Sequence, residues 1–375
     1  MSEYFLMNKN SKLLRFALLA DRFAQHYPKE LERYVNDALL PTGFISIQSW
    51  LDRRNYAKHK HHLRKWLSLW QIDTLKGFLD ITHALGLNDT LWVQRADENL
   101  SWEQVSLYTN AFDDVVAHTA FSKGLHGLQL SSTSPEFTSE GSFEKCWVRD
   151  KAGNIQLYKK GSSGFANAGL EPYSEFYSSQ LSALLCRSAL HYDLQCFKGA
   201  LVSSCAMFTD EDNGFIPIYK YFDSSKSYSL ADVLDFMEQL GFADDFKDMI
   251  VLDAVILNPD RHFGNFGFIV DNDTFNVKRF APVFDHNMAL AARAMDNSLD
   301  EDIDYEDIDY LKSCGHKIGA NFVQAAKFML THRNKNILRQ LIDFEFTPHS
   351  LYNLSPERLD FLNNLVRNQI RSILA

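Results

Sequence analysis

The sequence predicts a mixed α+β protein built from three segments, and three observations indicate this. Apolar residues at helical spacing recur through residues 1–125. Short alternating stretches bounded by turn residues, which are typical of strands, dominate residues 126–210. Residues 211–375 return to helical spacing and contain one predicted hairpin. We therefore expect a helical N-terminal extension, a strand-rich domain and a mostly helical C-terminal domain.

The composition is that of a folded, acidic protein. The chain has 375 residues, of which 46% are hydrophobic and 23% charged, and this balance excludes wholesale disorder. The 48 acidic residues outnumber the 38 basic ones, so the formal net charge is −10 and direct nucleic-acid binding is disfavoured. No apolar run approaches the ~18 residues that a membrane-spanning helix requires, so no membrane partner is expected.

The cysteines and the N-terminus favour a cytoplasmic protein. The chain has five cysteines, an odd number without CxxC spacing, which argues against disulfide frameworks and zinc sites. The apolar run at residues 13–20 is interrupted by Arg15 and differs from a secretion signal. It predicts instead an amphipathic helix over residues 13–24. We expect a cytoplasmic location, or delivery as an effector without an N-terminal signal peptide.

Local patterns define the elements of the middle segment. Residues 145–148 and 155–158 are predicted strands, and residues 150–154 supply a hairpin turn between them. A helical pattern follows over Glu171–Leu185. Residues 201–208 predict one further strand.

Two helices precede the hairpin of the C-terminal segment. Ser229 is predicted to cap the first helix, with Asp232 in the capping-box position and Gly241 as the stop. The second helix covers about residues 243–257 and ends before Pro259. A loop and the hairpin follow directly.

Polar side chains cluster in sequence around this hairpin. Its strands are predicted at residues 266–270 and 275–284. Because an antiparallel hairpin brings its two ends together, we expect Asn265 and Asp285 to be neighbours. Asp260 lies at the mouth of the same loop. Two carboxylates and an amide are therefore expected to converge at one strand edge.

That convergence is what phosphoryl transfer requires. One aspartate can orient the hydroxyl that is phosphorylated, while an asparagine and a second aspartate hold Mg²⁺ on the nucleotide phosphates. Mg²⁺ prefers oxygen ligands, keeps several waters and uses few protein side chains. Taken singly, each residue would be ordinary in an Asp- and Asn-rich turn. Their combination favours a catalytic role.

The motifs at this hairpin resemble those of a known family. Residues 258–265, Asn-Pro-Asp-Arg-His-Phe-Gly-Asn, and residues 281–287, Ala-Pro-Val-Phe-Asp-His-Asn, resemble the catalytic and metal-binding motifs of HipA-like serine/threonine kinases. These bacterial kinases are related in fold to phosphatidylinositol kinases. The resemblance implies a two-lobed protein-kinase-like fold, with residues 126–210 as the N-lobe and 211–375 as the C-lobe.

The resemblance also implies roles for individual residues of the C-lobe. Asp260 would be the catalytic base, and His262 would shape the catalytic loop. Asn265 and Asp285 would be the Mg²⁺ ligands. ATP and Mg²⁺ are the cofactors that this family uses.

Upstream, residues 138–145 resemble the family's phosphate loop. Gly141 and Ser142 lie in the loop, and Lys145 begins the next strand. The segment has one glycine where a Gly-x-Gly-x-x-Gly loop has three, so an ordinary loop before a strand remains the alternative.

A lysine and a glutamate match the family's phosphate-binding pair. Lys159 ends the second predicted strand, and Glu175 lies sixteen residues further on in a predicted helix. Because successive side chains of a strand point to opposite sides, only one of Lys159 and Lys160 faces inward. We favour Lys159, and a surface lysine and glutamate remain the alternative.

Residues 203–207 occupy the place of the linker between the lobes. In the family the backbone of this linker contacts adenine, which implicates Ser204, Cys205 and Met207. A core strand is an equally good interpretation.

The sequence thus predicts an ATP- and Mg²⁺-dependent serine/threonine protein kinase, a toxin or effector with a protein acceptor. The resemblance implies an antitoxin-type partner and autophosphorylation within residues 131–142, near Thr138 or Ser139. One alternative is a lipid or small-molecule kinase that uses the same site. Another is a nucleotide-binding regulatory module without turnover, which contacts its partners through residues 1–125.

Overall fold

The computed structural model describes most of the chain. The described residues are 2–20, 25–54, 74–112, 145–163, 168–292, 317 and 321–375. Within these ranges the chain forms three antiparallel sheets and nine α-helices, which confirms a mixed α+β protein. The chain folds into two compact units. The first comprises Met1–Tyr158, Met207–Ile216 and Phe268–Lys278, and the second comprises Lys159–Ala206, Pro217–Gly267 and Arg279–Ala375.

The first unit begins with a four-stranded sheet. Its strands are β1 (Ser2–Asn8), β2 (Ser11–Ala20), β3 (His26–Arg33) and β4 (Leu91–Arg95). They lie in the order β3-β2-β1-β4, and β1 is antiparallel to both of its neighbours. Tyr4 lies opposite Phe16, and their stacked rings are 5.5 Å apart in the core of this unit.

The helix predicted over residues 13–24 is wrong, because residues 11–20 form β2. The run Leu13–Leu14 and the stretch from Phe16 to Leu18 are all buried, so both faces of the strand are covered. A short apolar run that is buried on both faces has no period that distinguishes a strand from a helix. The pairing with β1 and β3 decides the outcome, and both partners lie outside the run.

Helices pack beside this sheet. They are α1 (Ile47–Arg54), α2 (Leu75–Thr82) and the short α3 (Trp102–Val105). Trp50 of α1 and Phe78 of α2 are buried in the same core as β1 and β2. The predicted helical extension is therefore corrected to a mixed sheet-and-helix structure in the described part of residues 1–125. The part of the predicted helical pattern that falls on residues 55–73 lies outside the described residues.

Two further groups of strands confirm the predicted hairpins. Strands β5 (Lys145–Arg149) and β6 (Ile155–Lys160) flank a turn in which Asp150 accepts the backbone N–H groups of Ala152 and Asn154. A separate three-stranded sheet consists of β9 (Asn213–Pro217), β10 (Gly267–Asp271) and β11 (Val277–Phe280), in the order β11-β10-β9.

The second unit combines a strand pair with a cluster of helices. Strands β7 (Asp193–Phe197) and β8 (Ala200–Ala206) pair antiparallel. Helix α4 (Glu171–Leu185) packs on β8. Its buried positions include Ser174, Ser178 and Ser182, whose small side chains allow close packing.

Helix α6 lies at the centre of that cluster. The helices are α5 (Leu230–Leu240), α6 (Ala243–Val255), α7 (Phe322–Met329), α8 (His332–Gln340) and α9 (Pro356–Leu374). Ser229 and Asp232 form the predicted capping box of α5, and Gly241 ends it with a φ of 82°. Helix α6 packs against α4, α5, α7 and α9, which fits its buried C-terminal half, residues 249–255, where every residue except Asp253 is apolar. The division into segments 1–125, 126–210 and 211–375 stays a prediction.

Candidate active site

A largely buried lysine in the second unit, Lys159, lies between two carboxylates. Nζ of Lys159 is 2.6 Å from Oε1 of Glu175 and 2.9 Å from Oδ1 of Asp285. The Lys159 side chain is 13% exposed and that of Glu175 is fully buried. An ammonium group that has lost its water needs opposite charge at close range, and here it has two such partners. The structure therefore brings together the lysine and glutamate that the sequence paired, and adds Asp285 to them.

The charge state of this cluster follows from its burial. Burial disfavours a charged Lys159, but Asp285 and Glu175 outweigh it, so the pKa of Lys159 is raised well above its ordinary value. Burial raises the pKa of Glu175 to about 7, against the opposing effect of Lys159. Lys159 thus keeps its proton throughout the physiological range. It presents a fixed positive charge, as contact with phosphate oxygens requires.

Side chains of β8 and its neighbourhood complete the surroundings of this lysine. Ser203 donates its hydroxyl proton to Oε2 of Glu175 at 3.3 Å. The Tyr192 ring centroid is 5.8 Å from Nζ of Lys159. The Tyr192 hydroxyl oxygen also accepts the backbone N–H of Asp285 at 3.2 Å. Asp285 has a φ of 63°, a conformation that a non-glycine residue adopts only when its surroundings hold it there.

The loop that carries Asp260 is closed by its own hydrogen bonds. The backbone N–H of Asp260 donates to Oδ1 of Asn258 at 3.1 Å. Its carbonyl accepts Nδ2 of Asn265 at 3.0 Å and the backbone N–H of His262 at 2.8 Å. Nδ1 of His262 accepts the N–H of Gly264 at 3.0 Å. His262 therefore shapes this loop, and the bond to Asp260 fixes the amide of Asn265.

The carboxylate of Asp260 has one further partner. It forms an ion pair with Lys317, whose side chain is about half exposed. Asp260 itself is only partly buried, with a side chain 28% exposed. A hydroxyl group from solution can therefore reach this carboxylate.

Arg261 is a residue of the site whose position the sequence does not predict. It is fully buried, and Nε and Nη2 donate to the two carboxylate oxygens of Asp253 at 2.9 and 3.0 Å. Its Nη1 donates to the carbonyls of Asn265 and Phe284, at 2.9 and 2.6 Å. The signal for this pair is Asp253 itself, a charged residue within the otherwise apolar stretch 249–257, which needs a buried partner.

The contacts of Arg261 Nη1 bear on the prediction that Asn265 and Asp285 are neighbours. Nη1 of Arg261 donates to the carbonyl of Asn265 and to that of Phe284. The backbones at the two ends of the hairpin are therefore close in space. The amide oxygen of Asn265 and the carboxylate of Asp285 are the oxygen ligands that Mg²⁺ prefers. Among the described residues, no group of three His, Cys, Asp or Glu side chains could hold a metal ion. A two-ligand site completed by nucleotide phosphates fits this donor set.

The residues predicted to contact the nucleotide are placed less directly. Gly141 and Ser142 lie outside the described residues, and Lys145 is partly buried at the start of β5. Ser204 and Cys205 belong to strand β8, as the core-strand interpretation has it. Oγ of Ser204 donates to the carbonyl of Asp193, and burial raises the pKa of the Cys205 thiol to about 12.

The backbone N–H of Met207, which is predicted to lie near adenine, already has a hydrogen-bond acceptor. The backbone N–H of Met207 donates to the carbonyl of Ile155 at 3.0 Å. This N–H is therefore used within the first unit. Contacts of Ser204, Cys205 and Met207 with adenine stay predictions.

Comparison with solved structures identifies the fold. No family model and no curated protein sequence matches the chain. HipA of Shewanella oneidensis MR-1, from a toxin–antitoxin complex with HipB and its operator DNA, aligns over 99% of both chains with a TM-score of 0.53 and 10% identity. The chain has the HipA fold. The proinflammatory kinase CtkA of Helicobacter pylori covers 61% of this chain and 91% of its own, with a TM-score of 0.47 and 18% identity.

The HipA fold confirms the resemblance that the motifs around Asp260 and Asp285 indicate. At 10% identity the likeness establishes the fold. The roles of individual residues in the site stay predictions. No helix in the described ranges is both long and apolar enough to cross a membrane.

Proposed function

We propose that this chain is an ATP- and Mg²⁺-dependent kinase that phosphorylates serine or threonine hydroxyls of a protein. The observation that carries the proposal is the largely buried Lys159 ammonium, held between Glu175 and Asp285. A lysine fixed by a glutamate and lying beside a metal-binding aspartate is an arrangement that phosphoryl transfer uses. The loop of Asp260 and Asn265 joins this cluster through Arg261.

Each of these side chains has a defined task in the reaction. The acceptor hydroxyl oxygen forms a bond to the γ-phosphorus of ATP, the bond from that phosphorus to the β–γ bridging oxygen breaks, and ADP leaves. Asp260 is partly exposed and can accept the proton of the hydroxyl group. Lys159 stabilises negative charge on the phosphate oxygens through its fixed ammonium.

Asn265 and Asp285 would hold Mg²⁺ through their side-chain oxygens. Bound there, the ion would neutralise phosphate charge as the bridging oxygen leaves. The side-chain amide of Asn265 is held by its bond to the carbonyl of Asp260, and the backbone of Asp285 is held by its bond to the Tyr192 hydroxyl. Little reorganisation is therefore needed when nucleotide binds.

The nature of the acceptor and partner rests on the HipA fold. The similar HipA structure contains HipB and operator DNA and belongs to a toxin–antitoxin system. By analogy of fold we propose a protein acceptor and an antitoxin-type partner. We also propose that the protein acts in the cytoplasm or is delivered as an effector. Autophosphorylation within residues 131–142, near Thr138 or Ser139, is part of this proposal. A phosphate there adds about −1.5 to −2 charge at pH 7 and would repel the phosphates of ATP.

The test is incubation of the purified chain with ATP and Mg²⁺, followed by intact mass measurement and phosphosite mapping. We expect added mass of one or more phosphates, and loss of this gain in Asp260→Asn. The matched control is Asp235→Asn, an exposed aspartate of α5, which should leave the mass gain unchanged. An acceptor screen with labelled ATP then separates protein from lipid and small-molecule substrates.

Two outcomes would contradict the proposal. Nucleotide binding without mass gain, without label transfer and without ATP hydrolysis would favour the regulatory module. Absence of nucleotide binding in a folded protein would exclude both enzyme and module.

A further inference from the structure

The ion pair between Arg261 and Asp253 is completely buried. Both side chains are 0% exposed, and the guanidinium meets the carboxylate through two hydrogen bonds of 2.9 and 3.0 Å. Removing two charges from water is costly, and a buried ion pair is often no more stable than a well-packed apolar pair. Stability alone therefore does not account for a charged pair at this position.

The pair connects three stretches of chain at the site. Asp253 lies on α6, in the middle of the helix cluster. Arg261 reaches the carbonyl of Asn265 on one side of the hairpin and that of Phe284 on the other. One nitrogen atom, Nη1, makes both contacts.

Asn258 adds a second link from the same carboxylate. Its Nδ2 donates to Oδ1 of Asp253 at 3.2 Å and to the carbonyl of Asp285 at 3.5 Å. Asp253 thus accepts three donor contacts and orients both side chains. The carbonyls of Asn265, Phe284 and Asp285 are all held by this network.

We propose that the Arg261–Asp253 pair is a positioning device that sets the spacing between Asn265 and Asp285, and thereby the affinity of the site for a divalent cation. The inference rests on the proposed function, because it takes these two residues as the metal ligands. Arg261 contacts no substrate and is a positioning residue. Partners that orient metal ligands commonly change metal affinity about 10- to 100-fold when they are removed.

Arginine is required for this task, and lysine is a poor substitute. The planar guanidinium spans both oxygens of Asp253 and two carbonyls at once. A lysine at the same position keeps the positive charge beside Asp253, but a single ammonium cannot reach all four acceptors. Arg261→Lys therefore separates the geometric role from the charge.

The chain offers a matched control in the first unit. Arg54 donates to the two carboxylate oxygens of Asp89 at 2.6 and 2.8 Å, and to the carbonyls of Ala84 and Leu91 at 2.7 and 2.9 Å. Like Arg261, Arg54 binds one carboxylate and two carbonyls, and Arg261 has in addition a contact of Nη2 with Nδ1 of His286 at 3.4 Å. Arg54→Lys should remove similar hydrogen bonds and leave Asn265 and Asp285, the proposed metal ligands, unaffected.

The experiment measures metal binding directly. Mn²⁺, which electron paramagnetic resonance detects, is titrated into the full-length chain with ADP present, for wild type, Arg261→Lys, Asp253→Asn and Arg54→Lys. Thermal unfolding of each protein is recorded in parallel. We expect Mn²⁺ affinity to fall at least ~10-fold in Arg261→Lys and Asp253→Asn, and to stay within about twofold in Arg54→Lys. Phosphoryl transfer by Arg261→Lys should recover in part at high Mg²⁺.

The possible failures are distinguishable. If wild type binds no Mn²⁺ with ADP, the proposed function fails and takes this inference with it. If wild type binds and Arg261→Lys binds equally well, only the inference is overturned. If Arg261→Lys does not fold, Asp253→Asn decides. Loss of cooperative unfolding in both would overturn the inference by assigning the pair to folding.

Discussion

Replacing Lys159 by methionine removes the only positive charge shown beside Glu175 in the described site. Methionine fills a similar volume, so packing is retained and the change is mainly electrostatic. In the wild type, burial raises the pKa of Glu175 to about 7 from an ordinary value of 4.5. Without Lys159, whose ammonium lowers that pKa, the pKa rises further. Glu175 in the variant therefore stays protonated above pH 7.

The size of the effect depends on pH in a defined direction. A carboxyl group whose folded pKa is raised stabilises the protein below its unfolded pKa, and this contribution is lost as pH rises to the folded value. In the wild type the loss is complete near pH 7, whereas in Lys159→Met it continues above pH 7. The stability difference should then grow by about 1.4 kcal/mol for each pH unit above 7.

The assay is urea unfolding of both proteins at pH 6, 7, 8 and 9, with Lys160→Met as the neighbouring control. Lys160 follows on the opposite side of β6, so its variant should show no such growth with pH. ATP-dependent phosphoryl transfer at pH 7 should fall about 100-fold or more in Lys159→Met and little in Lys160→Met. Equal losses in the two variants, or a pH-independent difference from wild type, would refute the assignment of Lys159.

Three further predictions test other parts of the site and its support. Asp260→Ala or Asp285→Ala should lower the rate of phosphoryl transfer ~1000-fold or more while thermal unfolding stays cooperative; near-normal activity would remove that residue from the mechanism. Tyr192→Phe removes the acceptor of the Asp285 N–H and should cost about 1 kcal/mol in urea unfolding. It should also weaken Mn²⁺ binding with ADP, and unchanged binding would show that Tyr192 does not position Asp285. Burial raises the pKa of Asp248 to about 6 from 3.8, so its stabilising contribution is lost as pH rises from about 4 to 6. Asp248→Asn should abolish this pH dependence, worth at most about 3 kcal/mol, and an unchanged pH profile would contradict it.

The parts of the site that sequence could predict depend on local structure. The hairpin between Asn265 and Asp285 follows from a turn and two short flanking strands, so its ends meet wherever the rest of the chain lies. Lys159 and Glu175 are sixteen residues apart, in a strand and the helix that follows it. Strand alternation then allows only one of Lys159 and Lys160 to face inward. These rules need no knowledge of distant partners.

The N-terminal sheet could not be predicted in the same way. Strand β1 has β2 on one side and β4 on the other, and β4 lies more than 80 residues further along the chain. An apolar run such as that of β2 is equally suited to a buried helix until its partners are known. The local pattern therefore carries no information about which distant strands pair. The helices predicted from spacing, such as α5 and α6, needed only their own residues.

Arg261 shows why a correct motif still leaves part of a site unseen. In sequence it stands between Asp260 and His262 and has the composition of a solvent-exposed turn. Its burial follows from Asp253, which lies in the buried and otherwise apolar C-terminal half of α6 and cannot remain an unpaired charge there. A charged residue within an apolar helix thus predicts a buried partner without naming it. The structure shows that this partner is Arg261. Its remaining N–H donors also need acceptors, and they find them in the carbonyls at the two ends of the hairpin.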